Sequence, residues 1–141
     1  LFNTVGPRQT GRYGMVLPRF VQSALANEPI TIYGDGSQSR VFCHVQDAIK
    51  AILTLAATDS TIGDVFNVGG VGETTIKELA ELTRDVVDFR GEIMWDTSKP
   101  DGTPRKLLDV SKIKNLGWEF QTSLREGLTQ TYKWYLSPRH K

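Results

Sequence analysis

The chain alternates short apolar runs with polar, glycine-bearing stretches, and the spacing within each run assigns its element. Leu1-Phe2-Asn3-Thr4-Val5 opens on β-prone, largely apolar residues and reads as a strand. The polar, glycine-rich stretch from Gly6 to Gly14 reads as a loop. Pro18 suits the first turn of a helix, where its missing N–H costs nothing, and Phe20, Val21, Ala24 and Leu25 follow at helical spacing. Asn27-Glu28-Pro29 stops that helix, because the Pro29 ring disfavours a helical Glu28. Ile30–Tyr33 and Val41–Val45 are β-branched and aromatic runs. The segment from Gly34 to Arg40 is too long for a two-residue hairpin turn and predicts a shaped loop around Asp35-Gly36.

Asp47 is placed to cap a helix that carries Ile49, Ile52, Leu53 and Ala56 on one side. Val65–Val68 reads as a further strand. Thr75 with Glu78 three residues on makes a capping box, and Ile76, Leu79, Ala80, Val86 and Val87 continue it as an amphipathic stripe. Ile93-Met94-Trp95 is a short strand. Ser111 opens a short helix that Gly117 closes, and Ser123 with Glu126 caps a last helix through about Leu136. Regular alternation of β and α segments predicts an α/β fold.

Length and charge narrow the function classes. At 141 residues with 39% hydrophobic positions, the chain predicts one domain over 1–141. Seventeen Lys+Arg stand against 16 Asp+Glu, a net charge of +1, so no clustered positive footprint for nucleic acid is expected. The single cysteine excludes an internal disulfide framework or a cysteine-based zinc site. No apolar run approaches the roughly 18 residues of a membrane span, and no signal-peptide pattern opens the chain, so a cytoplasmic protein is expected. Leu1 stands where an initiator Met would, directly on a strand pattern, and predicts that the sequence is cut from something longer.

Three arrangements invite a chemical reading. Gly69-Gly70-Val71-Gly72 between strand and helix, with Asp96 after a later strand, sketches a dinucleotide loop. Thr75 occupies the place of the third glycine, however, and its capping box explains it as an ordinary strand-to-helix turn. Cys43 and His44 are adjacent on a strand and therefore point to opposite faces, so a half-buried structural histidine is expected rather than a nucleophile pair. His140 sits in a basic tail. Arg40 at the end of the Gly-Asp-Gly loop, and Arg105 between Pro104 and Lys106, offer planar forks of donors suited to phosphate oxygens. The turn-rich stretch from Asp96 to Lys106 is long enough to be a binding loop.

Phe2-Asn3-Thr4-Val5-Gly6-Pro7-Arg8-Gln9, Val16-Leu17-Pro18-Arg19-Phe20, Ile30 through Arg40, Val45-Gln46-Asp47 and Phe66-Asn67-Val68-Gly69 occur in an ordered series. The series resembles the carboxy-terminal half of the extended short-chain dehydrogenase/reductases, the NAD(P)-dependent nucleotide-sugar epimerases, dehydratases and decarboxylases. Residues 1–70 look most like a UDP-sugar 4-epimerase or UDP-glucuronate decarboxylase, whereas Trp95 through Val110 is similar to GDP-fucose synthase. The resemblance implies a sugar-nucleotide-binding lobe plus terminal strands of a Rossmann-like sheet, without the N-terminal dinucleotide-binding half.

By position, the resemblance implies that Leu1 and Phe2 lie beside the nicotinamide of NAD or NADP in the complete enzyme. Asn3 would bond the substrate near its phosphates, and Leu17 would offer backbone to the nucleotide. Tyr33 would pack near the base, while Arg40 and Arg105 would clamp the pyrophosphate of a UDP- or GDP-sugar. The family pairs a catalytic Tyr with a Lys four residues on, and no Tyr in this sequence has that partner. No catalytic residue and no metal ligand is therefore assigned, and this chain alone is expected neither to turn over nor to bind the dinucleotide. Its expected partner is the missing half or a second copy. The alternative is a stand-alone, self-associating module descended from such an enzyme.

Overall fold

The computed structural model describes residues 1–11, 14–100 and 102–137; His140 lies outside them. In chain order the elements are β1 (Thr4–Val5), α1 (Val16–Leu25), β2 (Ile30–Tyr33), β3 (Ser39–Arg40), β4 (Cys43–His44) and α2 (Val45–Ala56). Then follow β5 (Thr74–Thr75), α3 (Ile76–Val87), β6 (Ile93–Asp96), β7 (Arg105–Lys106), α4 (Ser111–Lys114) and α5 (Leu124–Leu136). The strands form three small sheets: β1 with β4 in parallel, β2 with β6 in parallel, and β5-β3-β7 with β3 in the middle. β3 runs antiparallel to β5 and parallel to β7.

Alternation in β2 buries Ile30 and Ile32 and turns Tyr33 outward, as a half-buried strand requires. The helices α1 and α3 pack on β2, and α5 joins them, so Leu17, Phe20, Val21, Leu79 and Leu128 close one hydrophobic cluster. A second cluster gathers Cys43, Ala48, Ala51, Val68, Ile113 and Trp118 around α2 and α4. Both capping boxes form. Thr75 accepts from the Glu78 N–H at 3.1 Å and Ser123 from the Glu126 N–H at 3.2 Å, with each glutamate bonding back to its cap residue.

Several elements differ from the sequence reading. The first strand shrinks to Thr4–Val5, because Asn3 takes a left-handed φ of 46°, which interrupts extended pairing. The strand over 41–45 is only Cys43–His44, since Val45 already begins α2. No strand forms over Val65–Val68; Val65 is 82% exposed and its carbonyl accepts from Lys112 Nζ at 3.3 Å instead of a ladder partner.

The cap of α2 is His44, not Asp47: His44 Nδ1 accepts from the Gln46 N–H at 3.4 Å. Asp47 is instead fully buried, its Oδ2 accepting from the Thr122 N–H at 2.9 Å and its carbonyl from the Trp118 indole at 3.0 Å. The tertiary pull of those two bonds turns α2 so that Ala48 and Ala51 face the core. Ile49, Ile52 and Leu53, which the spacing gathers on one side of the helix, are half exposed or more.

Candidate functional site

A cavity of about 330 Å³ opens between β1, the start of α1, the end of β2 and β3, within the size range of small-molecule sites. It is lined by Asn3, Tyr33 and Arg40 among the residues singled out from the sequence. α1 reaches it with Met15 and Val16, and no side chain caps this helix and no acidic residue stands in its first turn. The positive end of the α1 dipole therefore faces the cavity uncompensated, which favours an anion there.

Tyr33 is held by Arg19, whose Nη2 donates to the phenol oxygen at 3.0 Å while its guanidinium carbon lies 4.6 Å from the ring centroid. The pair presents a flat, half-exposed surface on the cavity wall. Arg40 Nη1 donates to the Ser39 carbonyl at 2.7 Å and the Thr103 carbonyl at 2.6 Å. These bonds fix the guanidinium plane and tie it to the loop that precedes β7. Asn3 donates through Nδ2 to the Val41 carbonyl at 2.9 Å, linking the approach to β1 with that to β4.

The other expected residues stand apart from the cavity lining. Leu17 is 1% exposed and packs in the core, so only its backbone lies near the α1 start. Arg105 grips Glu73: Nε lies 2.9 and 3.0 Å from the two carboxylate oxygens, and Nη2 bonds Oε1 as well. Ser39 Oγ adds a donor to Glu73 at 2.7 Å. These donors, Arg105 first, push the Glu73 carboxyl down to about 2, and the Glu73 carboxylate in turn raises the Arg105 guanidinium above its ordinary value. Leu1 and Phe2 are exposed, with the Lys106 ammonium 4.5 Å from the Phe2 ring centroid.

Two cations escaped the sequence reading. Arg19 follows Pro18 at the helix start, where its position beside an N-terminal turn was the available signal. Lys106 pairs in register with Arg40, and Arg105 with Ser39. Registered residues share a face, so Lys106, not Arg105, lies on the same side of the sheet as Arg40.

The remaining candidates are structural. Burial pushes the Cys43 thiol up to about 11, with Asp47 adding to the shift, so the thiolate is scarce. Burial likewise lowers the His44 pKa, and because Nδ1 accepts the Gln46 N–H, the proton of the neutral ring sits on Nε2. Gly70 packs directly on Phe42 and Phe120, and Asp96 accepts the Ser98 N–H at 3.1 Å to shape a turn. The space over Gly70 is filled by Phe42 and Phe120, so the glycine at that position serves close packing.

The description "NAD dependent epimerase/dehydratase family" matches residues 1–69. The probable GDP-L-fucose synthase 1 of Oryza sativa subsp. japonica is 48% identical over 122 residues, covering 86% of this chain and 37% of that protein. UDP-glucuronic acid decarboxylase 1 of Arabidopsis thaliana is 40% identical over 129 residues, covering 91% of this chain and 29% of its own length. Among solved structures, the UDP-glucuronic acid 4-epimerase of Bacillus cereus, in complex with UDP-glucuronic acid and NAD, superposes with a TM-score of 0.84 at 28% identity. That match covers 94% of this chain and 42% of the other. The chain thus spans about two-fifths or less of these relatives. Among the described residues no helix is long and apolar enough to cross a membrane. An α/β fold shared at this level with epimerases, and sequence shared with two nucleotide-sugar enzymes, accord with the match of residues 1–69 to the NAD dependent epimerase/dehydratase family, whose listed relatives the chain spans in part.

Proposed function

We propose that residues 1–141 form the sugar-nucleotide-binding domain of a cytoplasmic NAD-dependent nucleotide-sugar epimerase or dehydratase, and that the cavity holds the nucleoside diphosphate of a UDP- or GDP-sugar. The observation that carries this reading is the joint presence of the Arg19–Tyr33 surface and the Arg40 guanidinium on one cavity wall. A nucleobase stacks on the first, since an aromatic face braced by a cation suits any base. The diphosphate meets Arg40, whose orientation is already fixed by Ser39 and Thr103, and the uncapped start of α1 beside Leu17 adds backbone donors. Lys106 stands on Arg40's face, and Arg105 reaches a phosphate only by leaving Glu73. Asn3 lines the end of the cavity nearest β1 and is positioned for the sugar side of the diphosphate.

These groups bind and orient. NAD would supply hydride chemistry in a complete enzyme, and no step is assigned to residues of this chain. Calorimetric titration with UDP, GDP and NAD tests the reading. Binding of UDP or GDP that weakens at least about tenfold in Arg40→Ala, with NAD silent, is expected. No affinity for either nucleotide in the folded chain sinks it.

The exposed face of α2 favours a second reading, a self-associating module. Ile49, Ile52 and Leu53, with Ile62 and Val65 nearby in sequence, leave large apolar side chains uncovered, and the β1/β4 sheet is only two strands wide. A concentration-dependent dimer in sedimentation, without nucleotide affinity, would put this reading first.

A further inference from the structure

Buried polar atoms without partners are rare in folded chains, and each one calls for an explanation. Among the described residues four buried side-chain atoms lack a hydrogen-bond partner, and two of them, Gln9 Oε1 and Gln38 Oε1, belong to side chains that line the cavity. Gln38 is 7% exposed. Its Nε2 donates to the Tyr33 carbonyl at 3.2 Å, which fixes which end of the carboxamide is nitrogen, since a carbonyl can only accept. The oxygen is then a desolvated acceptor with nothing to accept from.

Its place along the wall identifies the missing donor. Gln38 stands two residues before Arg40, both side chains line the cavity, and the Gln38 amide rests against the backbone of Tyr33. In a nucleoside diphosphate the ribose lies between base and phosphates. A base on Tyr33 and a diphosphate on Arg40 leave the ribose opposite Gln38. We infer that Gln38 is a specificity-determining residue of this cavity, its Oε1 accepting a hydrogen bond from a ribose hydroxyl. The broad terminal torsion of the carboxamide allows a small turn that opens Oε1 to a donor in the cavity while Nε2 stays on the Tyr33 carbonyl. The inference rests on the nucleotide-binding reading above and adds to it a means of telling ribonucleotides from deoxyribonucleotides.

The test is a set of calorimetric affinities for UDP and GDP against their 2′-deoxy and 3′-deoxy counterparts. They are measured on the unmodified chain, on Gln38→Met, which keeps the length but has no carbonyl, and on Gln38→Glu, which keeps an acceptor. Thermal melts establish that each variant is folded. The unmodified chain should prefer the ribonucleotide over at least one deoxy form by about tenfold or more, because the deoxy ligand leaves Oε1 unpaired. Gln38→Met should lose that preference and Gln38→Glu should keep it. Equal affinity for ribo and deoxy forms in the unmodified chain overturns the inference and assigns Oε1 to a buried water, while leaving nucleotide binding intact. A preference that survives in folded Gln38→Met, or vanishes in folded Gln38→Glu, overturns it too. Failure of every nucleotide to bind refutes the underlying reading, and this inference with it.

Discussion

Gly70→Ala and Gly72→Ala separate two reasons for a glycine, and together they decide what the glycine-rich turn is for. Gly70 does not need a left-handed backbone, so alanine meets no torsional objection there. The objection is space: a Cβ at residue 70 would lie 1.8 Å from the Phe42 carbonyl oxygen and 2.9 Å from its carbon, with Phe120 at 3.2 Å. Real contacts stop near 3.0 Å, so one backbone must retreat by more than an ångström. Phe42 belongs to the first hydrophobic cluster and Cys43 beside it to the second, and neither can shift without loosening its packing. Overpacking of this kind costs about 1–3 kcal/mol, and partial withdrawal of Phe42 costs about 1.5 kcal/mol more, for a total of about 2.5–4.5 kcal/mol. Gly72 is the reverse case, with φ at +83° and nothing within 4 Å of a Cβ. Its alanine pays roughly 1–2 kcal/mol for the left-handed backbone, offset by about 0.4–1 kcal/mol through the unfolded chain. Urea denaturation with a common m-value reads both. Gly70→Ala within about 1 kcal/mol of the parent, or Gly72→Ala costing as much as Gly70→Ala, would refute the steric argument. A nucleotide loop would instead lose ligand in both variants with little change in stability.

Two further outcomes follow from single contacts. Asp47→Ala leaves the part-buried Thr122 N–H without its acceptor and should cost about 1–3 kcal/mol, whereas Asp47→Asn keeps an amide oxygen for it and should recover most of the loss; equal melting temperatures for the two variants contradict this. Glu73 has a folded pKa of about 2 against an ordinary value of 4.5, so its contribution to stability is present above pH 4.5 and is lost as pH falls from there toward 2. Carbon-detected NMR titration of Glu73 should find its carboxylate still ionised at pH 3.5, and Arg105→Ala should bring its midpoint back toward 4.5. A midpoint near 4.5 in the parent would mean that the Arg105 grip does not persist in solution.

Secondary structure was legible wherever local chemistry decided it. The Thr75/Glu78 and Ser123/Glu126 boxes, the Pro18 turn and the buried Ile30/Ile32 pair all lie within one or two helical turns of the residues that signal them. Misreadings arose where a distant partner overrode local pattern. Asp47 has the chemistry of an N-cap, yet Thr122 and Trp118, more than 70 residues away, draw it inside and leave the cap to His44. The same rotation exposes Ile49, Ile52 and Leu53, which the spacing gathers on one side of the helix. Val65–Val68 has strand composition but no neighbour to pair with, and composition without a ladder partner does not make a strand.

The site was legible as an inventory and not as an arrangement. Arg40 and Tyr33 were identifiable because a glycine-bearing loop joins them and brings them back to one wall. Arg105 and Lys106 show why the step from inventory to arrangement fails. They are adjacent cations on one strand, and a period of two sends them to opposite faces. Which of them accompanies Arg40 depends on whether β7 pairs Ser39 with residue 105 or with residue 106, a shift of one position that no local pattern encodes. The structure pairs Ser39 with Arg105, and the pairing is held by Glu73, which takes donors from both Arg105 and Ser39 on that same face. Glu73 comes from the turn just before β5, and β5 lies on the far side of β3 from β7. One carboxylate thus bridges all three strands, fixes the register of β7, and thereby sets Lys106 beside Arg40 on the opposite face.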